Sequence, residues 1–259
     1  MGNLSVTRDL IGVATGLSVA RGDIAGSKCF EGFGEVTTEG DEDNIDVWIA
    51  DNTQPEPFTA GYQPNLISSS TNDTAAGIGI RTVDVHYLDV LGAEQTERVI
   101  LNGTTLVNMS STDVMFINDM HAVSVGSNLV AFGNVDARRT TTVTQRIGLA
   151  HNFSLSTMRQ VPAGKNLFVV GWHASAVSDG GGKEANMRIR STSDISGNIF
   201  PGVYIFKDGA KAVEATTGWL PFPVPLVIPP LATIKISTWT SGAMFVAATW
   251  RGWLEFVKN

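Results

Sequence analysis

Two β-rich runs, Glu97-Arg98-Val99-Ile100-Leu101 and Thr104-Thr105-Leu106-Val107, flank the dipeptide Asn102-Gly103. Asn and Gly accept the positive φ that a type I′ turn needs at both central positions, and the twist of that turn matches paired strands. The stretch predicts a two-residue β-hairpin. It constrains the whole chain because the same grammar recurs. In Arg81 to Leu88, Val83, Val85 and Tyr87 fall on one face and Asp84 and His86 on the other, the period of a half-buried strand. Ile45-Asp46-Val47-Trp48-Ile49-Ala50 alternates too. Val114–Ile117 and His121–Val125 read as one long or two short strands, and Leu129–Phe132 follows a Gly126-Ser127-Asn128 turn. No amphipathic helix longer than two turns is expected; short ones are placed near 4–11 and 153–160.

The organisation predicted from these runs has three parts. Residues 1–30 mix glycines and apolar residues without a period and read as an extended arm that orders against a neighbour. Residues 31–137 read as one antiparallel β-sandwich domain. The polar, Thr-rich segment Arg138 to Arg146 is the expected boundary, and 138–259 reads as a second sandwich of jelly-roll type. There Pro162-Ala163-Gly164-Lys165 is a turn between strands. The proline-rich stretch Trp219 to Pro230 suits an extended crossover rather than a central strand, because proline donates no ladder hydrogen bond.

Composition bounds function. The 259 residues carry a net charge of −7, and the basic residues cluster only at Arg138-Arg139 and Arg188-Ile189-Arg190. Such a surface is a poor match for nucleic acid, which needs clustered Lys and Arg. The single cysteine, Cys29, makes no internal disulfide. No basic start with an apolar core marks residues 1–25, and the apolar run at 10–17 is too short to span a bilayer, so no membrane partner is expected.

Candidate sites are few. Asp41, Asp43 and Asp46 form a weak candidate cation loop. Oxygen ligands suit Ca²⁺, but Ile45 stands where an EF-hand places a third ligand. The histidines at 86, 121, 151 and 173 lack metal-ligand spacing, and a role for them requires convergence in space. Gly180-Gly181-Gly182-Lys183 continues into Glu184, not Ser or Thr, and reads as a loop tip rather than a phosphate cradle. Five of the six tryptophans lie in the second half. Trp219, Phe222, Trp250 and Trp253 are the candidate subunit-interface residues, because aromatics dominate interface cores. No catalytic residue and no cofactor is assigned.

Several segments together resemble a group of tailed-phage virion proteins. They are Glu42-Asp43 ahead of Ile45-Asp46-Val47-Trp48, the run Ile67 to Gly79, Arg81-Thr82-Val83, Leu88-Asp89 and Glu97 to Thr105. In the second half they are Gln160 to Lys165, Gly202 to Asp208, the proline stretch and Gly252-Trp253-Leu254-Glu255. The similarity runs over about residues 28–255. It implies a non-enzymatic structural protein of the virion, as a capsid decoration, cement or spike subunit. Its expected partners are further copies of itself, as a homotrimer, and other virion proteins such as the major capsid protein. The rival expectations are a tail-associated adhesin that binds host glycans through Trp172, Trp219 or Trp239, and a polysaccharide depolymerase with a carboxylate pair at a subunit seam.

Overall fold

The structure is a computed structural model that describes residues 18–178, 180–213 and 216–257. Most of the expected arm, residues 1–17, and the helix placed at 4–11 lie outside the described residues; no helix forms at 153–160. The described residues hold sixteen strands: β1 (Lys28–Thr37), β2 (Asp41–Asp46), β3 (Asn65–Ser68), β4 (Ile80–Asp89), β5 (Glu94–Ile100), β6 (Val107–Asn108), β7 (Val114–Val125), β8 (Val135–Arg139), β9 (Thr142–Ile147), β10 (Arg159–Gln160), β11 (Lys165–Val177), β12 (Glu184–Ser191), β13 (Ile205–Val213), β14 (Thr216–Ile228), β15 (Thr233–Ser241) and β16 (Phe245–Phe256). Among the described residues no helix is long and apolar enough to cross a membrane.

The chain is all-β with antiparallel pairing. The expected layout, one sandwich per half with a jelly roll in the second, is not what the strands form. They make four sheets, the blade number of a four-bladed β-propeller. The sheets run β1-β16-β11-β14, then β10-β15-β12-β13 with β2 on β15, then β6-β3-β8-β9, and β5-β4-β7. The first and last strands share one sheet in unbroken register, from Lys28↔Leu254 to Thr37↔Phe245. β2 likewise pairs with β15. Residues 28–46, read from sequence as arm and first domain, therefore belong with the C-terminal strands. Local periodicity predicts that a segment is a strand and says nothing of a partner two hundred residues away.

Three further expectations change. Arg138 to Arg146 is no boundary; it is the β8–β9 hairpin, turning at Thr140 (φ 56°). The acidic stretch 41–46 is itself strand β2, whereas Val47 and Trp48 are buried outside any named strand. The proline stretch is strand β14 at a sheet edge, where missing N–H groups can face solvent. Its pairing with β11 slips between Val169↔Leu226 and Gly171↔Pro221, so the chain bulges at Pro223 and Pro225.

Two apolar clusters form the core. One is fed by strands from both chain ends: Phe30 and Val36 of β1 with Leu167, Trp172, Ile189, Ile236, Val246 and Trp250. The other joins Leu66, Val83, Val85, Val99, Ile117, Met120, Val135 and Ile147 of β3–β9. At about 25 cal/mol per Å² of apolar surface, burial on this scale is the main favourable contribution to folding.

The opening turn exists, with a different partner. Thr105 N–H donates to Asn102 O at 3.1 Å, and Gly103 has φ 59°. Positive φ falls on the first central residue alone, the pattern of a type II′ turn centred on Gly103-Thr104. The flanking strands then diverge, β5 to β4 and β6 to β3. The turn docks instead on the 68–79 segment. Ser68 N–H donates to Gly103 O at 2.9 Å and Gly103 N–H to Asp73 O at 2.8 Å. Asp73 is fully buried and organises that segment. Its Oδ1 accepts from Ile80 N–H (2.8 Å) and Phe132 N–H (2.9 Å), and its Oδ2 from Gly133 N–H (2.9 Å) and Ser68 Oγ (2.6 Å).

Candidate functional site

The four aromatic residues expected at an interface separate. Trp250 is fully buried, and its Nε1 donates to Thr157 O at 2.7 Å. Trp253 is also buried, stacked on Phe168 at 5.7 Å between centroids. Both rings are used within this chain, which corrects their assignment as contact residues. They sit on β16, a strand that looked terminal in sequence and is internal in its sheet. Phe222 is half-buried against the first core cluster. Trp219 remains 44% exposed.

Trp219 belongs to an apolar edge. β13 and β14 are consecutive and end their respective sheets. Phe206 (58% exposed), Val224 (78%) and Val227 (46%) lie on them. Ile195, Phe200 and Val203, in the segment leading into β13, are exposed as well. Of the expected glycan-stacking set, Trp172 is buried and its Nε1 donates to Asp208 Oδ2 at 3.0 Å. Trp239 is half-buried beside Asn44 and Arg188 in a shallow hollow.

The proposed cation loop does not assemble. Asp41 is exposed at the start of β2, and the Asp43 side chain lies outside the described part. Asp46 is buried at the far end, where it forms an ion pair with Lys235 Nζ at 2.9 Å and accepts from Gln54 N–H at 3.0 Å. Burial of Asp46 raises its pKa despite the attraction of Lys235. Lys235 also reaches Glu56 Oε1 at 3.3 Å and lies 4.0 Å from the Tyr204 ring centre. Tyr204 O–H donates to Glu56 Oε2 at 2.6 Å; burial, then the Glu56 charge, pushes its pKa up. This is an internal polar knot that closes on its own members, with Asp46 Oδ1 held by the charge of Lys235 and accepting no hydrogen bond.

A second polar array faces solvent. Strand register places Thr96 (β5), His86 (β4) and Asp119 (β7) in one cross-strand row, and Arg98, Asp84 and His121 in the next. Positions two apart share a face, so the six side chains form one patch. The imidazoles of His86 and His121 stack with centroids 4.9 Å apart and planes at 24°. His86 Nε2 lies 3.2 Å from His121 Nδ1 and 3.8 Å from Asp119 Oδ1. The guanidinium of Arg98 grips Asp84 through two hydrogen bonds, 2.7 and 2.8 Å, and these hold Asp84 below the usual carboxylate range. The patch borders a cavity of about 440 Å³ that Cys29, Glu31 and Arg159 also line. His86 and His121 stand 35 residues apart, a spacing that carries no metal-ligand signal; β4–β7 register is what joins them.

No protein-family model and no curated protein sequence matches the chain. Among solved structures, a chain of infectious bursal disease virus, Gt strain, aligns with 89% of this chain and 72% of its own length, at 14% identity and a TM-score of 0.25. The VP2 subviral particle of the same virus aligns over 90% and 77%, at 13% identity and a TM-score of 0.21. Its derived T=1 particle aligns over 90% and 74%, at 12% identity and a TM-score of 0.20. These are proteins of infectious bursal disease virus and not of a tailed phage.

Proposed function

We propose that the chain is a non-enzymatic structural subunit of a virus particle, a surface decoration, cement or spike protein that associates with further copies of itself. The observation that carries this reading is the apolar edge of β13 and β14, where Phe206, Trp219, Val224 and Val227 are left open to water. Exposed apolar side chains that include Trp and Phe are the usual mark of a protein contact. Pro221, Pro223 and Pro225 remove backbone donors from β14. The β14 edge is therefore a poor template for strand addition, and contact along it runs through side chains. Closed association of this kind suits a homotrimer.

The segments that resemble virion proteins add support. Ile67 to Gly79 forms the Asp73 knot, Glu97 to Thr105 carries β5 and the Gly103 turn, and Gly252 to Glu255 lies in β16. Each of these serves architecture. The test is imaging of intact particles of the encoding virus with this protein labelled. The expected result is label at regular positions on the particle surface. Label absent from purified particles would overturn the reading.

A further inference from the structure

We propose that His86, His121 and Asp119 bind one divalent transition-metal ion of the zinc class, at the solvent face of β4 and β7. Zinc takes imidazole nitrogen and carboxylate oxygen in a tetrahedral shell, and bonds of about 2.0–2.1 Å set neighbouring ligand atoms about 3.3 Å apart. His86 Nε2 and His121 Nδ1 are 3.2 Å apart. Asp119 Oδ1, at 3.8 Å from His86 Nε2, needs only a small side-chain rotation to complete a third vertex. The candidate ligand atoms of the three residues all lie within 4.8 Å of one another.

The nitrogens turned away from the shared point have partners suited to orienting metal-bound imidazoles. His86 Nδ1 is 2.8 Å from Thr96 Oγ1. When Nδ1–H donates there, Nε2 carries its lone pair toward the site. His121 Nε2 faces Asp84 Oδ2 at 4.0 Å, and Arg98 fixes that carboxylate. A hydroxyl behind one histidine and a carboxylate behind the other is the supporting shell that fixes tautomer and ring angle at metal sites. With both outer nitrogens protonated, two lone pairs confront each other across 3.2 Å, and a cation between them relieves the repulsion. All three ligands are partly exposed, so an ion has direct access, and a fourth position is left to water. His151, beside Glu35 at 3.5 Å, is a histidine–carboxylate pair outside this array and serves as the control.

The test uses the full chain stripped with chelator and titrated with Co²⁺ alone, followed by visible d–d absorption, with Zn²⁺ added afterwards. The expected result is a spectrum that saturates at one Co²⁺ per chain and is erased by Zn²⁺. H121N and H86N abolish it while far-UV circular dichroism is unchanged, and H151N leaves it intact. T96V removes no ligand and weakens binding about 10–100-fold; it keeps the proposal testable if a histidine variant fails to fold. Absence of a saturable spectrum overturns the proposal. So does a spectrum that survives in H121N, or loss in H151N equal to that in H121N.

Discussion

Replacing Asp73 by alanine strikes the residue on which three separate segments converge. Its carboxylate accepts from the amides of Ile80, Phe132 and Gly133 and from the Ser68 hydroxyl, with no solvent contact. D73A leaves the buried amides of Ile80 and Gly133 without an acceptor, and the part-buried amide of Phe132 as well. Each buried orphan costs about 1–3 kcal/mol, so the loss is on the order of 2–6 kcal/mol before any water enters the space. A domain's total stability is about 5–15 kcal/mol, and D73A is therefore expected to remove a large fraction of it. D73N keeps the volume and one carbonyl acceptor, but it sets an amide donor against Gly133 N–H, for an expected loss of about 2–3 kcal/mol. S68A removes one hydroxyl and orphans only the part-buried Ser70 N–H, which donates to it at 3.0 Å, for about 1 kcal/mol. Urea unfolding followed by tryptophan fluorescence and far-UV circular dichroism measures the series. Hydrogen exchange is expected to quicken first at Ile80, Phe132 and Gly133. A loss below about 1 kcal/mol for D73A, or S68A as damaging as D73A, would refute the idea that this carboxylate organises the segment.

K235M leaves Asp46 buried without its cation and is expected to cost about 3–5 kcal/mol, with much of that recovered in D46L/K235M; urea midpoints measure both. The Arg98 fork lowers the pKa of Asp84 below its unfolded value, so that contribution is present above about pH 4 and is lost as pH falls through the folded value. R98M should flatten the acid limb of a stability-against-pH curve. Asp46 runs the other way: burial raises its pKa, so its ionisation subtracts stability as pH climbs from about 4 through the folded value, and D46N should remove that slope. At Gly252 an added Cβ would sit 2.2 Å from Phe168 O across the β11–β16 pairing. G252A is expected to cost about 1–3 kcal/mol by forcing those strands apart, read as a drop in thermal midpoint.

Much of the strand content was legible because alternation is local: Val83, Val85 and Tyr87 do point into the core. The turn at Gly103 was legible for the same reason, although its strands were not partners, since divergence after a turn depends on what the next sheet offers. The pairing of β1 with β16 was invisible, because no local pattern encodes a contact across the whole chain. Trp250 misled for a related reason: an aromatic in the last strand looks peripheral until that strand is found between β1 and β11. The His86–His121 array needed two registers at once, β4 on β5 and β4 on β7. Asp46 looked like a surface ligand because acidic neighbours surround it in sequence, whereas the chain carries it inward to Lys235.

If the β13–β14 edge holds copies of this chain together, as proposed, the mass of the full chain in solution reports it most directly. Light scattering on the eluting protein should give an integer multiple of 27.6 kDa, three for the homotrimer, and V224D with F206D should reduce it to a single chain without loss of β structure. A single-chain mass at every concentration, or an oligomer indifferent to both substitutions, would contradict it.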